Sequence, residues 1–593
     1  MVARSDLLAG PGAGALAVGD PVRAARRRWD RARGMTAAGV LLCLVMAVPA
    51  FADEPPGGAA VTVEAPAIES DMPATEPIES RWTMELPPYK LNAKGHWWDP
   101  YNQNWLKGDF PIIGEDIFMK LTGISKTNVE GRSAPLPSGV STDEAGSFDF
   151  FGRHNALIFD QKFLARFEMQ KGATSFKPFE WQIVLEGAAD VNLLATQENG
   201  IVDPDVRDGT NRTTTHVALQ EAFVEIHVLD TSVNYDFISA KLGRQPFNSD
   251  FRSLIFSDVN QGVRIFGSAN ANRYNFNLVY FNPAEKDTNS ELNTFGLRDQ
   301  QIAIANLFVQ DFLKLGYTTQ FSFHYLQDDG KDSGFVFDNQ GFLVRPDPVG
   351  IARPHSIDAF YLGWTSEGHL GWLNVSHAVY EVLGHDTSNP IAGRDVNIDA
   401  QMAFLELSVD RDWMRYQTSV LYTSGDSDPR DHKARGFDSI LDNPQIMGGG
   451  FSYWQRQSIR IADRGGVALM QRNSMVPDLR SSKIQGQPNF VNPGILMLNA
   501  GATADLTQKV SLIGNATYIR FVDTEPLQIL LKQPDIRNDV GIDLSLGVEY
   551  RPFLNNNVIV KGFGAILQPL GGFSDIFETN TLYQVGTEVV LVF

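Results

Sequence analysis

Charged side chains recur on a two-residue spacing in several stretches of this chain. Lys162, Arg166 and Glu168 share one parity, as do Glu186 with Asp190 and Glu221 with Glu225; Lys241 follows, and Asp543, Glu549 and Arg551 continue the series near the C-terminus. Side chains two apart on a strand point to the same face. These groups would therefore stand in rows on one side of a sheet. Rows of opposite charge facing each other across water set a transverse field that orients polar solutes, whereas opposite charges on neighbouring strands pair and cement the wall. The spacing alone leaves both readings open.

Bond-breaking chemistry finds less support. His324, His355, His385 and His432 fall near expected strand ends, and Ser322 and Ser376 within strands, yet no spacing picks out a nucleophile, a base and an orienting group. Asp426, Asp428 and Asp431 offer oxygen ligands at short spacing, a weak candidate for a calcium ion. Pro429 and the lack of a closing glutamate depart from the EF-hand pattern, so a charge-laced turn is the preferred reading and no cofactor is expected. These aspartates open the longest loop, 426–492, which also carries Phe451, Tyr453, Trp454, Arg456, Arg460 and Arg464. A loop so long and aromatic is expected to fold inward as a constriction.

The element that must position such rows is best read at the C-terminus. Tyr583, Val585, Thr587, Val589, Leu591 and Phe593 alternate with Gln584, Gly586 and Glu588, giving one face suited to hydrocarbon and one suited to water. That is the pattern of a transmembrane β-strand, and the terminal phenylalanine resembles the signal read by the outer-membrane barrel-assembly machinery. At the other end, the basic run 23–33, the apolar stretch from Met35 and the Ala50-Phe51-Ala52 ending read as a signal peptide over 1–52, with Met35 an alternative start. The single cysteine, Cys43, lies inside that segment, so no disulfide or thiol chemistry is expected of the mature chain. Past it, no apolar run is long enough for a membrane helix. A chain that crosses lipid without one must close a barrel, because unpaired backbone groups there are too costly. The formal net charge of −20 argues against nucleic acid as a partner.

Residues 53–115 read as a periplasmic segment: 53–83 is Pro- and Ala-rich and flexible, while the aromatic stretch 84–115 either packs under or inside the barrel mouth, the preferred reading, or lies at the membrane interface. From 116 to 593 the alternation predicts an all-β fold, a transmembrane antiparallel barrel of about eighteen strands. Short connections fall at 177–178, 230–234, 269–272, 311–314, 366–369, 410–412, 507–508 and 554–556. Long ones fall near 130–147, 199–215, 251–258, 284–297, 329–356, 385–396, 426–492, 524–537 and 571–579. Both termini then lie on the short-turn side. In 181–193, Trp181, Ile183, Leu185, Ala189 and Val191 oppose Gln182, Glu186, Asp190 and Asn192; in 540–551, Ile542, Leu544, Leu546 and Val548 oppose Asp543, Ser545, Gly547 and Glu549. The pattern weakens in 372–384 and 510–523, where His377 and Arg520 sit on the nominal lipid face, which implies a bulge or a shifted boundary.

Lys241-Leu-Gly243-Arg244-Gln245, then Arg252 and Asn260-Gln-Gly-Val-Arg264, resemble the G-R-Q, arginine and G-x-R pattern of alginate-export-type outer-membrane channels; Gly425-Asp426 and Phe437-Asp438 are similar to the same group. The resemblance implies an eighteen-stranded substrate-specific channel with a strongly basic lumen, whereas the lining read here is mixed in sign. Arg244 falls on the lipid parity of its strand. The combined reading is a porin-like outer-membrane channel, not an enzyme, passing small polar or carbohydrate-like solutes and contacting outer-membrane lipid. The alternatives are a surface-binding or structural barrel and, behind it, a barrel hydrolase.

Overall fold

The computed structural model describes residues 105–136, 151–172, 178–461, 466–577 and 581–593, all within the unit Pro77–Phe593. The expected signal peptide, the expected leader and the aromatic segment up to residue 104 lie outside the described residues. Eighteen strands form the wall: β1 (Ile117–Ser133), β2 (Gly152–Lys171), β3 (Trp181–Glu198), β4 (Asn211–Asp230), β5 (Phe237–Asn248), β6 (Ser257–Ala269), β7 (Tyr274–Asn282), β8 (Gln300–Val309) and β9 (Tyr317–Asp328), then β10 (Ile357–Leu370), β11 (Leu373–Asn389), β12 (Arg394–Arg411), β13 (Met414–Thr423), β14 (Ile495–Thr507), β15 (Val510–Phe521), β16 (Asp539–Tyr550), β17 (Val558–Pro569) and β18 (Leu582–Val592). Each pairs antiparallel with its sequence neighbour, and β18 returns to β1 from Ile124↔Val592 to Arg132↔Gln584. The sheet therefore closes into a barrel. No helix among the described residues is long and apolar enough to cross a membrane.

Strand order and the alternation of short and long connections follow the sequence reading, with two adjustments. Strands β11 and β12 keep pairing out to Asn389↔Arg394, so the expected loop 385–396 shrinks to residues 390–393. The turn expected at 366–369 lies at 371–372, because β10 and β11 pair down to Leu370↔Leu373. A further short strand, Lys107–Ile113, pairs with the start of β1 below the end of β18. The described end of the aromatic segment thus extends the wall.

The outward face carries the apolar parity. Phe163, Leu185, Val191, Ile226, Leu242, Phe321, Trp364, Val379, Leu546 and Tyr583 are all exposed, whereas the intervening positions are largely buried. The two weak stretches share a cause. In β15 the alternation is regular and Arg520 lies on the outward parity with Ala516 and Tyr518; the pattern is blurred because the inner positions Ile519 and Phe521 are apolar and buried, and the one register shift, at Val540, belongs to β16. In β11 the register is regular from Asn374 to Asp386. His377 faces outward against Trp364, with ring centroids 4.6 Å apart, and the alternation is blurred because Ala378, Tyr380 and Val382 on the inner face are apolar too and fully buried.

What buries them is the connection 424–494. Tyr453, Trp454, Phe437, Leu469, Met470 and Phe490 from this loop join Tyr361, Tyr380, Val382, Met402, Phe404 and Met497 of the wall in one core. Burying side chains of this size contributes about 1.5–3 kcal/mol each, which favours an inward course for the loop. The loop therefore folds inward as an apolar plug against β9–β15.

Candidate functional site

On the opposite wall, the charges that alternate along the strands meet partners set by register. Arg166 lies level with Glu186 and Glu186 with Glu221; the Arg166 guanidinium contacts Glu168, Glu221 at 2.6 Å and Glu186 at 3.6 Å. Lys241 reaches Glu225 at 2.9 Å and stands over the Phe223 ring. Lys162 lies 3.5 Å from Asp160 and level with Asp190, and Arg551 pairs with Glu549 at 2.6 Å. Asp543 is buried and accepts from Ser452 Oγ and the Trp454 amide, each at 2.8 Å. That carboxylate anchors the plug, as Glu130 does by accepting from Arg456 Nε at 2.6 Å. Strand charges on this wall are mostly engaged with one another or with the plug.

Inside the plug, Asp438 accepts from Arg480 Nε at 2.6 Å and from the Asn489 amide at 2.8 Å, and Lys483 reaches Asp442 at 2.7 Å and Asp438 at 3.3 Å. Asp478 is the third carboxylate set against these two cations. Burial pushes its pKa up to about 7, opposed by Lys483.

Apart from a cavity of about 570 Å³ at Phe247, Arg264, Asn277 and Phe308, two charge-lined chambers lie between plug and wall. One, of about 230 Å³, opens on the loop side and is lined by Arg132, Arg212, Arg460 and Arg472 with Glu198, Glu291 and Asp338. The other, of about 540 Å³, opens on the turn side and is lined by Lys126, Lys162, Arg252, Arg456 and Lys561 with Asp160, Glu406, Glu549 and Glu588. Both chambers share Asn289, Glu291 and Arg472. These three residues stand at the border of the two chambers, called the neck below. Burial pulls the Arg472 guanidinium down, but Glu291 first, then Glu130, Asp160 and Glu588, outweigh it and leave its pKa above the ordinary value.

The four arginines of the loop-side chamber, two at strand ends and two on the plug loop, differ from the mid-strand charges. Arg132 donates to Gln457 and Arg212 donates to Asn192 at 2.9 Å, yet the Nε of each is buried without a partner. Arg460 stands over the Phe342 ring at 5.7 Å. Among the described residues none of these four makes an ion pair with a carboxylate. They offer planar donor forks to whatever enters, the geometry that suits an oxyanion.

Glu291 reaches the neck on a hairpin, Ala284–Lys286 paired with Asn293–Leu297. Its tip is closed by Asp287, whose side chain accepts from Ser290 N at 3.0 Å and Ser290 Oγ at 2.7 Å. The G-R-Q residues hold the base of this hairpin. Strands β4 and β5 pair only as far as Ala222↔Arg244; above that row the wall gapes. Gly243 has a φ of +124°, and a Cβ there would sit 2.2 Å from the Ala222 carbonyl oxygen, so only glycine fits the departure of β5. Arg244, on the lipid parity, turns into the gap and donates to the Leu219 carbonyl at 2.6 Å and the Thr294 carbonyl at 3.2 Å. Gln245 donates toward the carbonyls of Lys241, Gly243 and Gly262. Arg252 meets Glu406 at 2.9 Å in the turn-side chamber, and Arg264 donates to Asn277 and packs on Phe266 and Phe247. The motif arginines are thus dispersed, one to the wall gap, one to the turn-side chamber and one against aromatic rings.

No family model matches this chain, and no curated protein does. Solved structures similar to it include OccK5 (OpdH) of Pseudomonas aeruginosa, at 9% identity, TM-score 0.41, covering 79% of this chain and 97% of that one. OccAB4 of Acinetobacter baumannii is another, at 8% identity, TM-score 0.44, covering 80% and 98%. A third is OpdK of Pseudomonas aeruginosa, solved with vanillate, at 10% identity, TM-score 0.43, covering 80% and 98%.

The three aspartates at the start of the long loop form successive turns. Asp426 accepts from the Asp428 amide at 3.1 Å, Asp428 from the Arg430 amide, and Asp431 from Arg435, at 2.7 Å. Among the described residues no group of three His, Cys, Asp or Glu side chains could hold a metal ion. His355 Nδ1 meets Asp386 at 2.6 Å, Ser376 accepts from Arg252 at 3.1 Å, and both nitrogens of His324 are buried without a partner. The histidines and serines weighed for hydrolysis are not brought together.

The neck pair and the free arginines escaped the sequence reading. Glu291, Arg132 and Arg212 all fell in expected long connections, 284–297, 130–147 and 199–215, where spacing carries no face information; the last two in fact lie at strand ends. Arg460 was noted only as part of a basic, aromatic loop. The one available signal was an excess of arginine over acid in residues 451–472, just past the glycine run 448–450.

Proposed function

We propose that the protein is an outer-membrane channel of a Gram-negative-type bacterium, passing small polar or carbohydrate-like solutes by diffusion and favouring those that carry a carboxylate or similar anionic group. The observation that carries this reading is the pair of chambers that border one another at Glu291 and Arg472 inside a closed eighteen-strand barrel, with guanidinium groups on the loop side that have no carboxylate partner among the described residues. A barrel of this strand number is wide enough for an aqueous path even when partly plugged. The apolar outer face suits lipid, and the strand ending in Phe593 suits delivery by the barrel-assembly machinery. The likeness of the G-R-Q and G-x-R segments to alginate-export-type channels agrees with an anionic sugar as cargo. Here the G-R-Q arginine serves the wall gap, and the basic surface comes from Arg132, Arg212, Arg460 and Arg472 instead.

The test is osmotic swelling of liposomes holding the refolded mature protein. Glucuronate is expected to enter faster than glucose, although the two are nearly the same size. Equal rates would remove the anion preference, and no swelling with either solute would remove the channel.

A further inference from the structure

The wall gap and the neck are joined by one piece of chain. The hairpin 284–297 carries Glu291 at its tip, while its second strand lies along the gap between β4 and β5. Arg244 donates to Thr294 there, Gln220 at a bulge of β4 accepts the Asn293 amide at 2.8 Å, and Asn293 Nδ2 donates to the Val259 carbonyl at 3.0 Å. On the other edge Lys286 pairs with Asp258 at 2.6 Å and Glu285 with Arg345 at 2.6 Å. Leu292, next to Glu291, is buried against Ala188 and Ala218 on the inner wall. Asp287 makes the tip a closed turn, so wherever the second strand is held, Glu291 is held too.

We propose that Arg244 is a positioning residue for the neck: by clamping Leu219 and Thr294 across the gap it fixes Glu291 opposite Arg472, and so sets the charge selectivity of the channel from the wall. The physical basis is the difference between a side-chain clamp and a ladder. Where strands pair, register is set by many backbone bonds; above Ala222↔Arg244 no backbone bond joins β4 to β5, and one guanidinium bridges two carbonyls instead. Lysine cannot reproduce this, because its ammonium is a point donor without the planar fork. The glycine before Arg244 serves the same arrangement by letting β5 leave β4, and the glutamine after it donates back toward the Lys241, Gly243 and Gly262 carbonyls at that point of departure.

The proposal rests on the channel reading, and the test separates their failures. Four refolded proteins are compared in planar bilayers under a salt gradient: unaltered, E291Q, R244A and the double variant. E291Q is expected to raise the anion-to-cation permeability ratio by roughly threefold, as loss of one unscreened charge at a neck would. R244A is expected to move it in the same direction, and to add little in the E291Q background, since both act through one carboxylate. R244A without effect on the ratio in an intact, heat-modifiable barrel, or a shift fully additive with E291Q, would overturn the proposal. The second measurement does not need current. A spin label on E291C, in a mature chain with no other cysteine, is expected to be restrained when Arg244 is present and mobile in R244A and R244K. Equal mobility in all three would overturn the proposal even if the channel conducts, whereas a released label in a silent barrel would keep the clamp and remove the channel. Should R244A not refold, R244K carries both comparisons.

Discussion

The charges of the strands and the charges at the neck behave differently. Arg166 on β2 stands in one row with Glu186 and Glu221 and touches both, as well as Glu168; Arg472 on the plug loop and Glu291 on the hairpin tip come from separate loops and make no ion pair among the described residues. Antiparallel register brings Arg166 within reach of carboxylates on neighbouring strands, so opposite signs meet there. Glu291 and Arg472, on loops, have no such register, and Arg132 and Arg212, at the loop-side ends of their strands, also lack a carboxylate partner among the described residues. Alternating charges in mid-strand are therefore poor evidence of a selectivity filter.

The largest expected effect comes from dissolving the plug, which would erase the comparison altogether. Arg480→Ala leaves Asp438 and Asp478 buried beside a single lysine. Uncovering a buried charge in this way costs about 3–5 kcal/mol, so the loop should leave the wall, and single-channel conductance should rise well above that of the unaltered protein; unchanged conductance would mean that the cluster does not hold the plug. Next in size is Arg472→Gln, expected to lower anion preference by roughly threefold while leaving heat-modifiability intact. Arg166→Gln sharpens the contrast from the other side. It should cost about 1–3 kcal/mol in resistance to denaturant, because its carboxylate partners lose their cation, yet leave the reversal potential where it was.

The smallest effect is that of pH. Burial raises Asp478 to about 7, so its contribution is full below the unfolded value near 3.9 and is lost as pH rises through about 7. For His355, burial pulls down but Asp386 and then Asp347 pull harder, and its pKa lies above the ordinary value. Its contribution, too, is present at lower pH and lost as pH rises through that value. Current noise from the plug should therefore grow on going from about pH 6 to about pH 8, a change on the order of 1 kcal/mol; noise that falls over that range would contradict the assignment.

The fold was legible because a lipid-facing strand must alternate and a barrel must close. Segments such as 181–193 and 540–551 reported both facts, and the short and long connections ordered the rest. Strand β11 was harder, because Ala378, Tyr380 and Val382 pack on a plug and lose the polar parity that marks a watery lumen. The inward course of loop 426–492 followed from its aromatics, although which wall it covers did not. Arg244 was flagged by its wrong parity, and the gap that resolves this depends on a bulge at Gln220, which no local pattern announces. Glu291 and Arg472 are far apart in sequence and carry no periodic signal. Their meeting is a product of the closed barrel.

The most direct measurement is the reversal potential of single channels, in a potassium chloride gradient, for the refolded mature protein beside Arg472→Gln. The account expects discrete current steps with a preference for chloride that falls by roughly threefold in the variant. A silent bilayer with a folded, heat-modifiable barrel, or steps whose selectivity is unmoved by the substitution, would contradict it.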